Sequence, residues 1–252
     1  MTEIRLLLTA VQYFTRIRVP AWVGHAQEQL AGAVRYFPVV GLIVGASGAA
    51  TLWLAALVLP TPLPAILATI VTVLMTGAIH EDGLADTCDG LAGGATRERA
   101  LEIMKDPRIG VFGAIALILM LLLKISALSV MPVWTAMAAL IAAHAFSRFC
   151  AVLISFAGRY VGSAERSRAA PVVQRVQIGD VMIAALFGLP ALVLCGRAAI
   201  IAIVVALVLL GLLFRWCVKR IGGYTGDTLG AAQQITETGF YVALLATQAS
   251  AL

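Results

Sequence analysis

From Phe37 to Leu59 the chain runs for 23 residues without a charge. At 1.5 Å per residue, a helix of that length crosses a hydrocarbon layer about 30 Å thick. Further apolar runs follow at Leu63 to Ile79, Gly110 to Val130, from Pro132 to about Ala157, Val181 to Cys195, Ala198 to Phe214 and Thr238 to Leu252. Inside a bilayer every backbone amide must find its partner within the protein, so runs of this kind become helices. The expected fold is all-α, a polytopic membrane helical bundle of about seven transmembrane helices forming one integral membrane domain over residues 1–252. Composition agrees: 61% of residues are hydrophobic and 12% charged, where a soluble domain carries about 25% charged residues. The net charge of +5 sits between the apolar runs and not on a soluble face, which argues for membrane topology and against nucleic acid.

Residues 1–35 carry Glu3, Arg5, Arg16 and Arg18 among apolar positions, and no small-residue cleavage site follows. This predicts an amphipathic helix lying in the membrane interface, with Tyr13, Phe14 and Trp22 at headgroup depth, and not a signal peptide. If the N-terminus is cytoplasmic, 16 of 18 basic residues fall on the inside, only Lys124 and Arg197 lie toward the outside, and all acidic residues face the cytoplasm. Cys88, Cys150, Cys195 and Cys217 lack zinc spacing and read as free thiols. Gly41, Gly45 and Gly48 on the first span would let a neighbouring helix approach closely.

The chemistry concentrates in a cytoplasmic segment, residues 80–109, which opens HEDGLADTCDG. Continued helically, it places Asp82, Asp86 and Asp89 at i, i+4 and i+7 on one face, with Glu81 to the side. Carboxylates so close repel one another unless a cation neutralises them, and Mg2+, held by carboxylates together with substrate phosphates, is the natural partner. A solvated acidic loop is the alternative, and Gly83 and Gly90 speak against a long regular helix while leaving room for a large ligand. The following charged stretch, with Lys105, Asp106 and Arg108, reads either as a solvated linker or as part of a substrate site.

Within the fourth span His144 and Arg148 share one face, where Arg148 would contact a phosphate and His144 reads as a packing residue; Lys124 is expected to snorkel to the far interface. Two polar loops remain. The basic loop 158–180 cannot span, and the glycine-rich loop 221–238 offers Gly222, Gly223 and Gly226 as backbone donors to a phosphate, just before Asp227, which otherwise reads as a helix N-cap. Clustered carboxylates beside basic groups, with no P-loop, zinc motif or GxSxG, point to metal-assisted phosphoryl transfer.

The stretches HEDGLADTCDG, RERALEIMKDPRIGVFG, FTRIRVP, RYFPVVGLIVG and GGYTGDTLGAAQQITE together closely resemble the adenosylcobinamide-GDP ribazoletransferase, or cobalamin synthase, family over nearly the whole chain. The resemblance implies a multi-pass enzyme of the bacterial inner membrane, with membrane lipid as a partner, an active site that faces the cytoplasm, and room for a homo-oligomer. It implies a Mg2+-dependent reaction of adenosylcobinamide-GDP with α-ribazole or its 5'-phosphate, giving adenosylcobalamin or its 5'-phosphate and GMP. Carried over, Asp82, Asp86 and Asp89 would hold the metal, Glu81 would be a fourth ligand or the general base, Asp227 a second candidate base, and Lys105 and Arg108 contacts of the guanylyl phosphates. The loop SAERSRAAPVV lacks the Gly-Leu-Gly-like stretch expected after its basic residues, which weakens any role for Arg166 and Arg168. Two rivals remain. Asp86-x-x-Asp89-Gly90 imitates the opening of the CDP-alcohol phosphotransferase motif, but its Ala-Arg is replaced by Gly93-Gly94 and no later Gly-x-x-x-Asp-x-x-x-Asp follows; a transporter could use Lys124, His144 and Arg148, but no internal repeat is found.

Overall fold

The computed structural model describes residues 2–24, 28–162 and 176–249, and eleven α-helices are found among them. The short helices α1 (Glu3–Phe14) and α2 (Glu28–Ala33) lead into α3 (Phe37–Ala56), which packs along α8 (Val133–Ala157) and beside α4 (Leu63–Thr76). The glycine row makes that packing close: a Cβ on Gly45 would lie 2.6 Å from the Leu140 carbonyl oxygen, and one on Gly48 2.8 Å from the Thr72 methyl. The most enclosed of the apolar helices is α8. Outer helices α7 (Val111–Val130) and α10 (Ala198–Ile221) expose Ile118, Leu122, Ile200, Val204 and Val208, the pattern of surfaces that face lipid.

Among the described residues five helical segments are long and apolar enough to cross a membrane, and a sixth is counted if α4 and α5 (Ile79–Gly93) form one broken span. The chain is thus an all-α polytopic bundle, with the fifth segment built from α9 (Ile178–Gly188) and a 3-10 turn over Pro190–Cys195. The expected count of about seven is not reproduced by length and hydropathy. The difference comes from α4, a short helix, and from α11 (Gly226–Ala249), whose first half is polar.

Three local expectations need correction. Gly83 and Gly90 do not interrupt α5, which is a continuous helix; they sit where α11 and α6 (Arg97–Ile103) press against it. Most of the segment 221–238 is not a loop, because α11 begins at Gly226 and runs unbroken through Thr238. Its polar residues Gln233, Gln234, Thr236, Glu237 and Thr238 are buried among other helices, so a hydropathy average misreads them. Of the basic loop, residues 163–175, with Arg166 and Arg168, lie outside the described residues.

Between α4 and α5 the axis turns by 87°. Gly77 and Ala78 both take left-handed backbone angles there, φ +66° and +60°. Glycine does this freely, whereas an alanine in that region costs roughly 1–2 kcal/mol. The turn sets α5, with its four carboxylates, nearly at right angles to α4.

Candidate active site

Where α5 meets the start of α11, the backbones nearly touch. A Cβ on Gly83 would stand 2.7 Å from the Asp227 carbonyl oxygen, and one on Gly230 3.2 Å from the His80 Cα. This approach brings the acidic row of α5 next to Asp227. The first turn of α11 is fixed by Thr225 and Thr228, each hydroxyl accepting from the other's backbone amide, at 3.3 and 2.8 Å. Thr225 and Thr228 therefore do the capping expected of Asp227, whose carboxylate accepts a long 3.4 Å bond from the Thr225 hydroxyl and one from its own backbone amide.

A cavity of about 580 Å3 opens beside this junction. Its polar wall includes His80, Asp82, Lys105, Arg148, Asp227 and Gln233, and Gly226 also lines it. Its apolar wall includes Tyr13, Phe14, Phe37, Leu101, Met104 and Val161. Tyr13 and Phe14 are thus partly buried against the core and line the cavity, while Trp22 alone of that predicted aromatic set stays broadly exposed. Phe14 packs edge-on to Phe37 at 4.3 Å and stacks over His80 at 6.0 Å, tying α1 to the mouth of the site.

Asp86, one turn beyond Asp82 and half-buried, is pushed up to about 7, first by burial and then by the charges of Asp82, Asp227 and Asp89. Asp89 belongs to a different arrangement. Its Oδ2 accepts from the Gly110 amide at 2.7 Å and its Oδ1 from the Gly113 amide at 2.9 Å, so it caps the N-terminus of α7. Both glycines lack the Cβ that would collide with this carboxylate. A ligand role for Asp89 is therefore at odds with the geometry.

Other expected site residues divide in the same way. Glu81 lies off the cavity, its Oε1 accepting from the Gln234 amide at 2.9 Å and its Oε2 enclosed without a partner. Asp106 and Arg108 pair with each other at 2.7 Å on the exposed surface and do not reach the cavity. Gly222 ends α10 in the left-handed region at φ +79°, and Gly223 lets the backbone run against Arg159, where Tyr224 donates to the Arg159 carbonyl at 2.9 Å. Neither glycine lines the cavity. Asp82, Asp227, Lys105, Arg148 and Gly226 are brought together as expected.

Mg2+ was expected on Asp82, Asp86 and Asp89. Among the described residues no three His, Cys, Asp or Glu side chains are placed to hold an ion by themselves. The crowding that raises Asp86 is nevertheless what a hard cation would relieve. Asp82 and Asp86, with Asp227 opposite, fit an ion that takes one or two carboxylates and completes its shell with water and substrate oxygens.

Beneath the cavity lies a set of buried charges that sequence periodicity only partly exposes. Lys124 does not snorkel: it is 5% exposed and pairs at 2.8 Å with Glu237, which is 2% exposed. Glu237 likewise departs from the expectation that every acidic residue lies at the cytoplasmic surface. It sits about 16 Å along α11 from Gly226, roughly half the depth of a bilayer. His80, Gln233 and Glu237 were not expected in the site; only His80, adjoining the acidic row, left a signal in the sequence.

This pairing of an acidic junction with basic groups around one cavity is found in a chain whose relatives are known. A family model described as cobalamin-5-phosphate synthase matches residues 6–245. The chain belongs to that family. Among cobalamin-5-phosphate synthase relatives, the adenosylcobinamide-GDP ribazoletransferase of Shewanella frigidimarina is 44% identical over 98% of this chain and 96% of its own length. Those of Leptothrix cholodnii and Shewanella sp. W3-18-1 are 45% and 47% identical over 97% and 96% of this chain, and 96% and 94% of their own lengths. No solved structure matches.

Proposed function

We propose that this chain joins adenosylcobinamide-GDP to α-ribazole, or to α-ribazole 5'-phosphate, releasing GMP and forming adenosylcobalamin or its 5'-phosphate. The observation that carries this reading is a cavity lined at once by Asp82, Asp227, Lys105 and Arg148. A diphosphate ester needs both halves: cations for its phosphate oxygens, and carboxylates for a metal and for a proton. The family membership and the named relatives support the same substrates.

In this mechanism Arg148 and Lys105 bind the diphosphate, and the apolar wall from Tyr13 to Met104 excludes water around it. The ribose hydroxyl of α-ribazole attacks the phosphorus next to the aminopropanol arm. A new P–O bond forms, the bond to the guanylyl phosphate breaks, and GMP leaves with the electron pair. Asp227, placed at the cavity wall, takes the hydroxyl proton. Asp82 and Asp86 offer their oxygens to Mg2+, which when bound would neutralise charge on the diphosphate and the departing phosphate. With the arginine and lysine excess taken as cytoplasmic, the cavity opens toward the cytoplasm at the inner membrane.

The test is GMP release by purified protein in liposomes. It should require adenosylcobinamide-GDP, α-ribazole and Mg2+ together. Release of CMP from CDP-activated lipid, with no GMP from the corrinoid, would move the chain to the CDP-alcohol phosphotransferase chemistry.

A further inference from the structure

Arg148 is 3% exposed, forms no ion pair among the described residues, and lines the cavity. Its NH1 donates to the His144 carbonyl at 3.0 Å and lies 3.2 Å from His144 Nδ1, while its Nε has no partner. A buried guanidinium ordinarily takes the nearest carboxylate. Of the carboxylates whose charge acts on Arg148, Glu237 is the strongest and Glu81 the next; Glu237 stands just beyond the imidazole, with His144 Nδ1 3.1 Å from its Oε2.

Glu237 is already fully engaged. Its Oε1 pairs with Lys124 and accepts from the Tyr241 hydroxyl at 3.2 Å, and its Oε2 accepts from the Gln233 amide. With Nδ1 protonated, His144 donates to the same oxygen, and Arg148 NH1 is left to the His144 carbonyl. Lys124 thus balances Glu237 in a contact pair, while Arg148 feels Glu237 and Glu81 only at a distance and keeps no contact ion pair among the described residues.

We propose that Lys124 and Glu237 are positioning residues for an anion site: Lys124 keeps Glu237 from capturing Arg148, so that Arg148 remains turned to a diphosphate in the cavity. The inference rests on the reading of the cavity as a diphosphate site. It gives a role to two residues that touch neither the cavity nor any reacting atom. Removing Lys124 alone leaves Glu237 short of a cation, and Arg148 is the one joined to it through His144. Removing Glu237 alone leaves Arg148 where it is. A simple clamp between α7 and α11 would make the two losses alike.

The experiment is calorimetric titration of GDP, with Mg2+, into the full-length protein in detergent, alongside melting curves. Lys124→Met should weaken GDP binding on the order of 100-fold, because Arg148, captured by Glu237, no longer reaches the diphosphate, a loss of the size of one buried charge contact across an interface. Glu237→Gln should change it by no more than about 3-fold, and Lys124→Met/Glu237→Gln should recover affinity to within about 5-fold of the parent, since a buried pair can be neutralised together. If Lys124→Met does not fold, the double variant decides: a loss there on the order of 100-fold overturns the proposal. Equal losses in both single variants that track their melting temperatures would also overturn it, as would a parent protein that does not bind GDP. A parent that binds GDP with the expected pattern but releases no GMP from adenosylcobinamide-GDP would refute the proposed reaction and leave the anion site standing.

Discussion

Two groups of charged side chains lie within this bundle, and they are handled in opposite ways. At mid-depth, Lys124, His144 and Glu237 are buried and joined to one another by hydrogen bonds and ion pairs. At the end of the bundle, Asp82, Asp86 and Asp227 crowd together with no cation paired to them among the described residues. A helix bundle that pairs Lys124 with Glu237 in its interior, yet leaves the carboxylates at its end repelling, keeps the second group for something that arrives. The same contrast runs along α5 itself: Asp89 is spent on the α7 amides, and Asp82 is not.

Substitution separates these groups most sharply at the unpaired carboxylates. Asp82→Asn and Asp227→Asn should each lower kcat about 10^3-fold, with the melting temperature of the detergent-purified protein unchanged or raised; Asp86→Asn should likewise insert and fold but be inactive. Full GMP release by any of the three would break the comparison. Arg148→Met should raise the KM for adenosylcobinamide-GDP on the order of 100-fold with a smaller loss in kcat, because the guanidinium holds the diphosphate and Glu237 keeps Lys124. An Arg148 variant that is mainly unstable would place it with the structural charges instead.

Asp89→Asn should do the reverse of Asp82→Asn. It weakens two charge-assisted bonds to helix amides, costing about 1–3 kcal/mol of stability, with activity per folded molecule largely kept. Without divalent cation, melting temperature should fall as pH rises from about 4 to 7. Asp86 keeps its proton up to about 7 in the fold but loses it near the ordinary carboxylate value when unfolded, so the folded state binds more protons throughout that window. Mg2+ or Asp86→Asn should flatten the slope. The smallest effect is expected at the bend before α5, where Ala78→Gly relieves a left-handed alanine and should stabilise by up to about 1 kcal/mol, net of the added freedom of the unfolded chain.

Much of this was legible in the sequence. Uncharged runs gave most of the spans, and the Gly41, Gly45 and Gly48 row gave the α3 face that packs on α8 and α4. Arg148, singled out in the fourth span as a phosphate contact, does line the cavity, while His144, one turn before it, does not. What periodicity cannot supply is the neighbour. Asp82, Asp86 and Asp89 do share a helical direction, but Asp89 lies about 10 Å further along the axis than Asp82, where α7 begins. Lys124 and Glu237, 113 positions apart, look like a snorkelling lysine and a loop acid until α7 and α11 are packed together. Hydropathy fails on α11 for the same reason, since it treats Gln233, Gln234 and Glu237 as facing solvent when they face other helices.

The most direct measurement is Mg2+-dependent GMP release from adenosylcobinamide-GDP and α-ribazole in liposomes, run side by side for the parent, Asp227→Asn and Asp89→Asn. The account predicts release that needs both substrates, falls about 10^3-fold in Asp227→Asn and survives in Asp89→Asn. Equal loss in both variants, or release that continues without α-ribazole, would contradict it.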